Sequence, residues 1–234
     1  PQYRVPVRDN VVNNQLTLHG INARRLSEAR AQWADAFSAL PGPRFTVIAG
    51  GDSGPFTFGP KAAERLGRQA SRLAREHGGS LLVTTSSRTS GAAVSALEQA
   101  IDVPNYFYRW HPGDDANPYV GMLAWADRLI VTGDSIAMLS EACSTGKPVQ
   151  MFDLGGMRGE PHGPVDFRLG ATLYAFMMRW LPQSLSRDIT LVHRSLRESG
   201  RAVWLEEEFG AVAVPAEDDM QRAVLAVKKL FGES

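Results

Sequence analysis

The alternation of short apolar runs with helical segments constrains the fold of this chain more than any other feature. Between residues 45 and 153, a short apolar run is followed by a segment whose apolar residues have helical spacing, and the pattern recurs at least four times. Such alternation is typical of a parallel sheet with helices on both faces and right-handed connections. The sequence therefore predicts an α/β fold with a Rossmann-like sheet. The predicted strands are residues 45–49, 80–84, 106–110, 129–132 and 149–153.

Helical spacing and terminal signals predict the remaining elements. Pro60 suits a first helical position, and Gly78 and Gly79 suit a helix end. We expect residues 1–42 to be a linker and a helix, a connection to or remnant of another domain, and residues 43–234 to form the Rossmann-like domain with its carboxyl-terminal helices. The predicted helices are residues 22–40, 60–77, 92–100, 117–125, a segment beginning at Ile136, 169–181, 188–199 and 217–231.

Composition excludes several classes of protein. Lysine plus arginine and aspartate plus glutamate number 25 each, so no general charge footprint favours nucleic acid as a partner. The single cysteine excludes an internal disulfide and favours a reducing compartment. No apolar run approaches the roughly 20 residues of a membrane span, and residues 1–10 lack a signal-peptide pattern. We therefore expect a cytoplasmic location, with the periphery of the inner membrane as an alternative.

Residues 126–148 carry the sharpest functional signal. A β-branched run is followed by Gly133, Asp134 and Ser135, and then by a predicted helix. A small-residue turn at a helix N-terminus favours a bound anion such as phosphate. If Asp134 and Glu141 both lie on that helix, they share one face about 10 Å apart. The alternative is that Asp134 and Ser135 only cap the helix and that Glu141 faces solvent.

Two further strand ends are rich in glycine or hydroxyl groups. Gly50, Gly51 and Ser53 follow the first strand in a loop where backbone N–H groups can approach an anion, although Asp52 repels phosphate unless it faces away or caps the helix. Ser86 and Arg88 follow the second strand, and Arg88 suits phosphate. The alternatives are a tight turn and a polar loop with local hydrogen bonds.

The carboxyl ends of parallel strands meet at one edge of a sheet, where ligands bind. We therefore expect the segments at Gly50, Ser86, Arg109, Asp134 and Gly155 to line one edge. The loop at Gly50 is neither a P-loop nor a G-x-G-x-x-G motif. The five histidines have no metal-ligand spacing, and no G-x-S-x-G element supports a hydrolase triad. We expect neither a metal nor a cofactor.

The order of these motifs resembles the ELM-type family, which is named after a plant mitochondrial-fission protein and whose bacterial members are classed among the glycosyltransferases. The last matching piece also looks like the donor-binding, carboxyl-terminal half of GT-B glycosyltransferases, in which a strand, a turn and a helix end in S-E-A-x-x-x-G-x-P. The matching pieces are VPVRDN at 5–10, VIAGGDS at 47–53, SLLVTTSSRT at 80–89 and NPYVGMLAWADRLIVTGDSIAMLSEACSTGKPVQMFDL at 117–154.

This resemblance implies a site for a nucleoside diphosphate sugar. By similarity, Ser135 and the turn around it would face phosphate or sugar, and Glu141 would bind the ribose hydroxyls, because a carboxylate accepts two hydrogen bonds. Arg88 or Arg109 would help the helix N-termini to stabilise the leaving diphosphate without a metal. The remaining residues implied are Gly50, Gly51 and Ser53 near the diphosphate or the acceptor, and Tyr108 and Arg109 beside the base.

Two departures from the GT-B pattern leave alternatives open. The first departure is Asp52, where the family usually has asparagine. The second is that only about 44 residues precede the donor half, which is fewer than a facing domain needs. The main prediction is a GT-B-like glycosyltransferase, or its donor-binding domain, acting on a cell-envelope or lipid glycoconjugate acceptor. The alternatives are a non-catalytic nucleotide-binding or protein-interaction module and, more weakly, a GT-B-like nucleotide-sugar epimerase.

Residues 169–181 are apolar nearly all round. This pattern favours a buried or docking helix over a membrane role, since the segment is too short to span a bilayer. We expect it to contact a partner domain or the membrane periphery.

Overall fold

A computed structural model describes residues 11–158, 166–180, 188–208 and 219–231. Its strands form one six-stranded sheet in the order β3-β2-β1-β4-β5-β6. Every neighbouring pair of strands is parallel. The strands are β1 (Arg44–Ile48), β2 (Ser80–Thr84), β3 (Asn105–Tyr108), β4 (Arg128–Thr132), β5 (Val149–Phe152) and β6 (Val203–Trp204).

The sheet confirms the predicted Rossmann-like α/β fold. The chain moves from β1 through β2 to β3 on one side of β1, and then returns to place β4, β5 and β6 on the other side. The direction of winding therefore reverses between β1 and β4, and crevices for ligands form outside the carboxyl ends of strands at such a reversal. The helices are α1 (Ala23–Gln32), α2 (Ala34–Phe37), α3 (Pro60–Glu76), α4 (Gly91–Gln99), α5 (Tyr119–Trp125), α6 (Ile136–Cys143), α7 (Leu169–Trp180), α8 (Thr190–Glu198) and α9 (Asp219–Leu230).

The inner strands are covered on both faces, which explains their nearly continuous apolar sequence. All five residues of β2 are buried. Leu81 and Val83 join the larger apolar cluster, whereas Leu82 joins a second cluster with Phe37 and Met122 on the opposite face. Alternate side chains of one strand thus serve two cores.

The helix predicted over residues 22–40 is interrupted. Asn22 caps α1 by accepting a hydrogen bond from the Arg25 amide at 2.9 Å, but Trp33 leaves helical geometry at φ −102° and ψ 13°. The Trp33 ring stacks on Phe37, with centroids 5.5 Å apart. It also packs where a side chain on Gly121 would lie. Tertiary packing of this ring therefore accompanies the break between α1 and α2.

Helices α1 and α5 pack against each other. The Trp125 indole donates to the Arg30 carbonyl at 2.8 Å, and the Arg30 guanidinium donates to the Ala124 carbonyl at 3.0 Å. The same guanidinium lies 4.3 Å from the centre of the Trp125 ring. The first described helix is thus attached to the sheet domain through α5, while the domain boundary at residue 42 stays a prediction.

Helix α7 forms as predicted over most of residues 169–181, but its apolar side chains are not all buried. Leu169, Leu173 and Phe176 are 75%, 59% and 62% exposed. The prediction of a buried helix is therefore wrong for this stripe, whose spacing places the three side chains on one face. A docking role for the stripe stays a prediction. Among the described residues, no helix has the length and apolar character needed to cross a bilayer.

The contact between Trp33 and Gly121 can be tested by a double-mutant cycle. A Cβ atom on Gly121 would lie 2.3 Å from Trp33 Cδ1. In a helix interior, Gly→Ala ordinarily raises the free energy of unfolding by up to about 1 kcal/mol. We expect Gly121→Ala to lower this free energy in the native background and to raise it in a Trp33→Ala background, as measured by urea unfolding. The same sign in both backgrounds would contradict the packing.

Candidate functional site

The loops that follow β1 and β4 meet at the reversal in the sheet. The Gly50 amide donates to the Thr132 hydroxyl at 2.8 Å, and the Gly51 amide donates to Asp134 Oδ2 at 3.0 Å. The sequence predicts that these amides face an anion, but the structure directs both of them to side chains of the β4 end. The loop that contains Gly50 and Gly51, called the glycine loop below, is therefore held by hydrogen bonds to Thr132 and Asp134.

Close packing explains why glycine occupies positions 50 and 51. A Cβ atom on Gly50 would lie 2.3 Å from Asp134 Oδ2 and 2.7 Å from its Cγ. A Cβ atom on Gly51 would lie 2.2 Å from the Arg88 carbonyl oxygen. Three loops, those after β1, β2 and β4, thus touch at these two residues. We call Gly50, Gly51, Arg88 and Asp134 the switch-point cluster.

Arg88 provides the positive charge of this cluster. Its guanidinium lies 2.9 Å from Asp134 Oδ2 and donates to the Asp52 carbonyl at 3.1 Å. The Arg88 side chain is 39% exposed, whereas that of Asp134 is 0% exposed. Solvent and solutes can therefore reach the arginine but not the carboxylate beneath it.

Burial dominates the electrostatics of Asp134. It raises the pKa of this carboxyl group above the usual value, because a charge is poorly solvated inside the protein. The Thr132 hydroxyl, the Gly51 amide and the Arg88 guanidinium act in the opposite direction. The charged form of Asp134 thus depends on a few specific neighbours.

Ser86 and Thr89 tether the glycine loop. The Ser86 hydroxyl donates to the Gly50 carbonyl at 2.8 Å, and the Thr89 hydroxyl donates to the same oxygen. The Ser86 amide in turn donates to the Thr89 hydroxyl at 2.9 Å. The hydroxyl groups of the predicted donor cluster after β2 are therefore directed largely to the glycine loop, and Arg88 is the member of the cluster with an exposed charge.

Asp52 faces away from the switch-point cluster, as a phosphate site would require. Its carboxylate accepts from the Phe58 amide at 2.9 Å and lies 3.5 Å from Arg168 Nε. The nearby Asp166 carboxylate caps α3, because it accepts from the Lys61 and Ala62 amides at 3.1 and 2.9 Å. The N-terminus of α3 thus already has an internal anion.

The N-terminus of α6 has a different arrangement. Ser135 occupies the N-cap position, yet its side chain accepts no capping hydrogen bond from the described backbone. Asp134 precedes this cap and turns toward β1, so the prediction that Asp134 and Glu141 share a helix face is wrong. The amides of the first turn of α6 are therefore not satisfied by a side-chain cap within the described residues.

His193 of α8 fixes the turn before α6. Its Nε2 lies 2.6 Å from the Gly133 carbonyl oxygen. Burial lowers the pKa of His193, so the ring is neutral near pH 7 and Nε2–H donates to that oxygen. A Cβ atom on Gly133 would lie 2.7 Å from Met157 Sδ and 3.2 Å from His193 Nε2, so the turn packs closely against both side chains.

Glu141 lies farther along α6 and has a partner in α5. The Tyr119 hydroxyl donates to Glu141 Oε2 at 2.5 Å. Burial, and then the charge of Glu141, raise the pKa of Tyr119, so the phenol stays protonated and keeps donating. This bond orients the carboxylate for which the family resemblance implies a role at a ribose, and that role stays a prediction.

Tyr108 and Arg109 lie at the end of β3, two strands away from β1. The Tyr108 hydroxyl donates to Asp114 at 2.6 Å, and burial raises the pKa of Tyr108 to about 12. Arg109 pairs with Glu98 and is 62% exposed. These residues contact their own loop and α4 rather than the switch-point cluster, and their role beside a base stays a prediction.

Sequence reasoning did not single out several residues that shape the site. Thr132 and Tyr119 lie inside otherwise ordinary strand and helix patterns, and Asp166 lies in a loop without any motif. Thr132 had one weak signal, since it is a polar residue at the end of a buried strand. In the described ranges, no group of three or more histidine, cysteine, aspartate or glutamate residues is arranged to hold a metal ion.

A cavity of about 270 Å³ lies beside β5 and β6. None of the residues predicted to bind substrate lines this cavity. Its lining includes Arg65 and Gln69 of α3, Phe152 and Asp153 at the end of β5, and Trp204 and Glu206 near β6.

The strand order and the switch-point cluster together define a Rossmann-like α/β domain with an ion pair between a buried carboxylate and an exposed arginine at the reversal of its sheet. The sequence model of the family described as Mitochondrial fission ELM1 matches residues 2–164, which is more than half of the chain. The chain therefore belongs to this family, as its motifs predict.

Two curated relatives match shorter stretches. The Mitochondrial fission protein ELM1 of Arabidopsis thaliana is 36% identical over 146 residues, covering 62% of this chain and 34% of that protein. An uncharacterised protein of Rickettsia prowazekii (strain Madrid E) is 32% identical over 109 residues, covering 45% of this chain and 30% of that protein. The chain thus spans about a third of the length of these relatives.

Two solved structures are similar at low identity. A glycosyl transferase family 9 protein from Veillonella parvula DSM 2008 has a TM-score of 0.42 at 13% identity, covering 79% of this chain and 53% of that chain. UDP-GlcNAc 2-epimerase from Neisseria meningitidis, bound to UDP-GlcNAc, has a TM-score of 0.42 at 14% identity, covering 88% of this chain and 50% of that chain.

The packing of Asp134 on Gly50 predicts a strong effect of a single methyl group. The Asp134 carboxylate is buried and cannot move away from an added methyl group, because the Gly51 amide and Arg88 fix its position. We therefore expect Gly50→Ala to lower the free energy of unfolding by about 1–3 kcal/mol. Gly91→Ala is the matched control, since a Cβ atom there meets nothing within 4 Å. It should leave that free energy unchanged or raise it. Chemical unfolding of both variants checks the prediction, and equal effects would contradict it.

Proposed function

We propose that this chain forms the donor-binding half of a GT-B-like glycosyltransferase and that the crevice between β1 and β4 binds a nucleoside diphosphate sugar. The observation that carries the proposal is the exposed guanidinium of Arg88 beside the turn that leads into α6. A guanidinium and the amides of a helix N-terminus are the groups that proteins commonly use for phosphate. The resemblance of residues 117–154 to the donor-binding half of GT-B glycosyltransferases agrees with this.

The diphosphate is assigned to the turn between β4 and α6 rather than to the turn after β1. Asp166 already caps the N-terminus of α3. A phosphate at α3 would have to displace this carboxylate. At α6 the cap residue Ser135 makes no side-chain capping bond with the described backbone, so the dipole and the amides of that helix remain for a ligand.

Glu141 is proposed to bind the ribose hydroxyls of the donor. It lies on the helix whose first turn receives the diphosphate, and Tyr119 holds its carboxylate in place through one oxygen. A carboxylate offers about four acceptor positions, so capacity remains for a sugar hydroxyl. The same helix, α6, would thus bind both the phosphate and the ribose.

The transfer step would place negative charge on the departing diphosphate. Arg88 and the first-turn amides of α6 would stabilise that charge, which lowers the barrier when such donors are positioned in advance. We propose an acceptor in a cell-envelope or lipid glycoconjugate at the cytoplasmic side of the membrane. The acceptor and the general base would be held by protein that faces this crevice.

The exposed stripe on α7 favours a second candidate function. Leu169, Leu173 and Phe176 form an apolar face that is more than half exposed, and such faces mark contacts with partners. The chain would then be a nucleotide-binding or protein-interaction module without turnover, docked through α7 on a partner domain or on the membrane periphery. Release or transfer of sugar from a nucleotide sugar by this chain would exclude that candidate.

Calorimetric titration with nucleoside diphosphates tests the proposed donor site. We expect Glu141→Ala to weaken binding at least tenfold, because the acceptor for the ribose hydroxyls is lost. Tyr119→Phe is the matched control, since it removes the bond to Glu141 but keeps the carboxylate, and it should weaken binding less. Equal affinity of Glu141→Ala and the native chain would remove Glu141 from the site.

A further inference from the structure

The ion pair between Arg88 and Asp134 joins an accessible cation to an inaccessible anion. We propose that Arg88 exchanges partners when an anionic ligand binds, leaving Asp134 for a phosphate, and that Asp134 then takes up a proton. This inference rests on the proposed function, because it couples proton uptake by Asp134 to ligand binding at the site proposed there. It identifies Asp134 as a positioning residue that acts on the ligand through Arg88.

The geometry allows Arg88 to move while Asp134 stays. The Arg88 side chain is 39% exposed, and its guanidinium otherwise donates to a backbone carbonyl, that of Asp52, at 3.1 Å. Asp134 is fully buried, accepts from the Gly51 amide, and packs against Gly50 so closely that no Cβ atom would fit. A long side chain at a surface can reorient at low cost, whereas a buried carboxylate in such contact cannot follow it.

Departure of Arg88 would leave a buried carboxylate without its counter-ion. An unpaired buried charge is costly, and a carboxyl group in this situation binds a proton instead. Asp134 Oδ2 receives the Gly51 amide, whereas Oδ1 has no hydrogen-bond partner among the described residues. Oδ1 is therefore the atom assigned to the proton, which comes from solvent, and no other bond forms or breaks.

The neighbouring charges do not substitute for Arg88. The Asp52 carboxylate is directed to the Phe58 amide and Arg168, and it is itself an anion. His193 reaches the turn from α8 but bonds the Gly133 carbonyl, and burial lowers its pKa, so it stays neutral. Among the described residues, Arg88 is the cation that acts on Asp134.

The exchange makes ligand affinity depend on pH with a defined sign. Loss of Arg88 raises the pKa of Asp134 further in the bound state than in the free state. Between these two pKa values, binding takes up a proton, so affinity increases as the pH falls.

The first experiment needs no ligand. The carboxyl carbon of Asp134 is titrated by NMR in the native chain and in Arg88→Met. We expect the proton affinity of Asp134 to rise at least tenfold in Arg88→Met, because the counter-ion is lost. Arg75→Met is the matched control, since Arg75 forms an exposed ion pair with Asp102, and it should leave the titration unchanged. An unchanged titration in Arg88→Met would overturn the proposal.

The second experiment adds two anions whose own charge is constant between about pH 6 and pH 8. Inorganic sulfate and UDP-GlcNAc are titrated by calorimetry in buffers of different ionisation enthalpy. We expect binding to take up as much as one proton in the native chain and none in Asp134→Asn. Asp134→Asn should bind each anion as tightly as the native chain or more tightly, because a neutral side chain at position 134 no longer competes with the anion for Arg88. If Asp134 were only structural, this variant would bind more weakly.

The two anions separate the exchange from the proposed function. Proton uptake with sulfate but no binding of UDP-GlcNAc would support the exchange and count against the nucleotide-sugar site. Uptake with both anions would support both. Binding of either anion without proton uptake, or binding of neither anion, would overturn the exchange. If Asp134→Asn does not fold, the native chain and Arg88→Met still decide the result.

Discussion

A buried carboxylate at the reversal of the sheet determines the arrangement of the residues around it. Asp134 has no exposed side-chain surface, and it lies where the loops after β1, β2 and β4 converge. A charge in this position persists only with donors close to it. Gly51 and Arg88 supply those donors, and Gly50 supplies the space. The arrangement of the three loops therefore follows from solvating one charge.

The two turns that join a strand to a helix at this crevice have different roles. After β1, the N-terminus of α3 is satisfied by Asp166, and Asp52 is directed to Phe58 and Arg168. After β4, the carbonyl of Gly133 is fixed by His193, while the cap of α6 lacks a side-chain bond from the described residues. One turn is thus closed by a side chain of the protein, whereas no side chain among the described residues caps the other.

The sequence predicts the fold well because strands buried on both faces are apolar along most of their length, and the run at β2 marks the strand at its observed limits. The site is harder to predict, since its contacts join distant positions. Gly51 and Asp134 are 83 residues apart, and Ala62 and Asp166 are 104 residues apart. No local pattern shows that Asp134 turns toward β1 rather than toward its own helix.

The polar groups proposed to meet the donor are already engaged within the protein. Arg88 pairs with Asp134, and Glu141 accepts a hydrogen bond from Tyr119. Binding at such a site replaces existing contacts, so its net free energy is a difference between similar quantities. The internal partners also restrict these side chains beforehand, which reduces the entropy that a ligand must remove. The site would then select those ligands that bind Arg88 strongly enough to replace the buried Asp134 carboxylate as its partner.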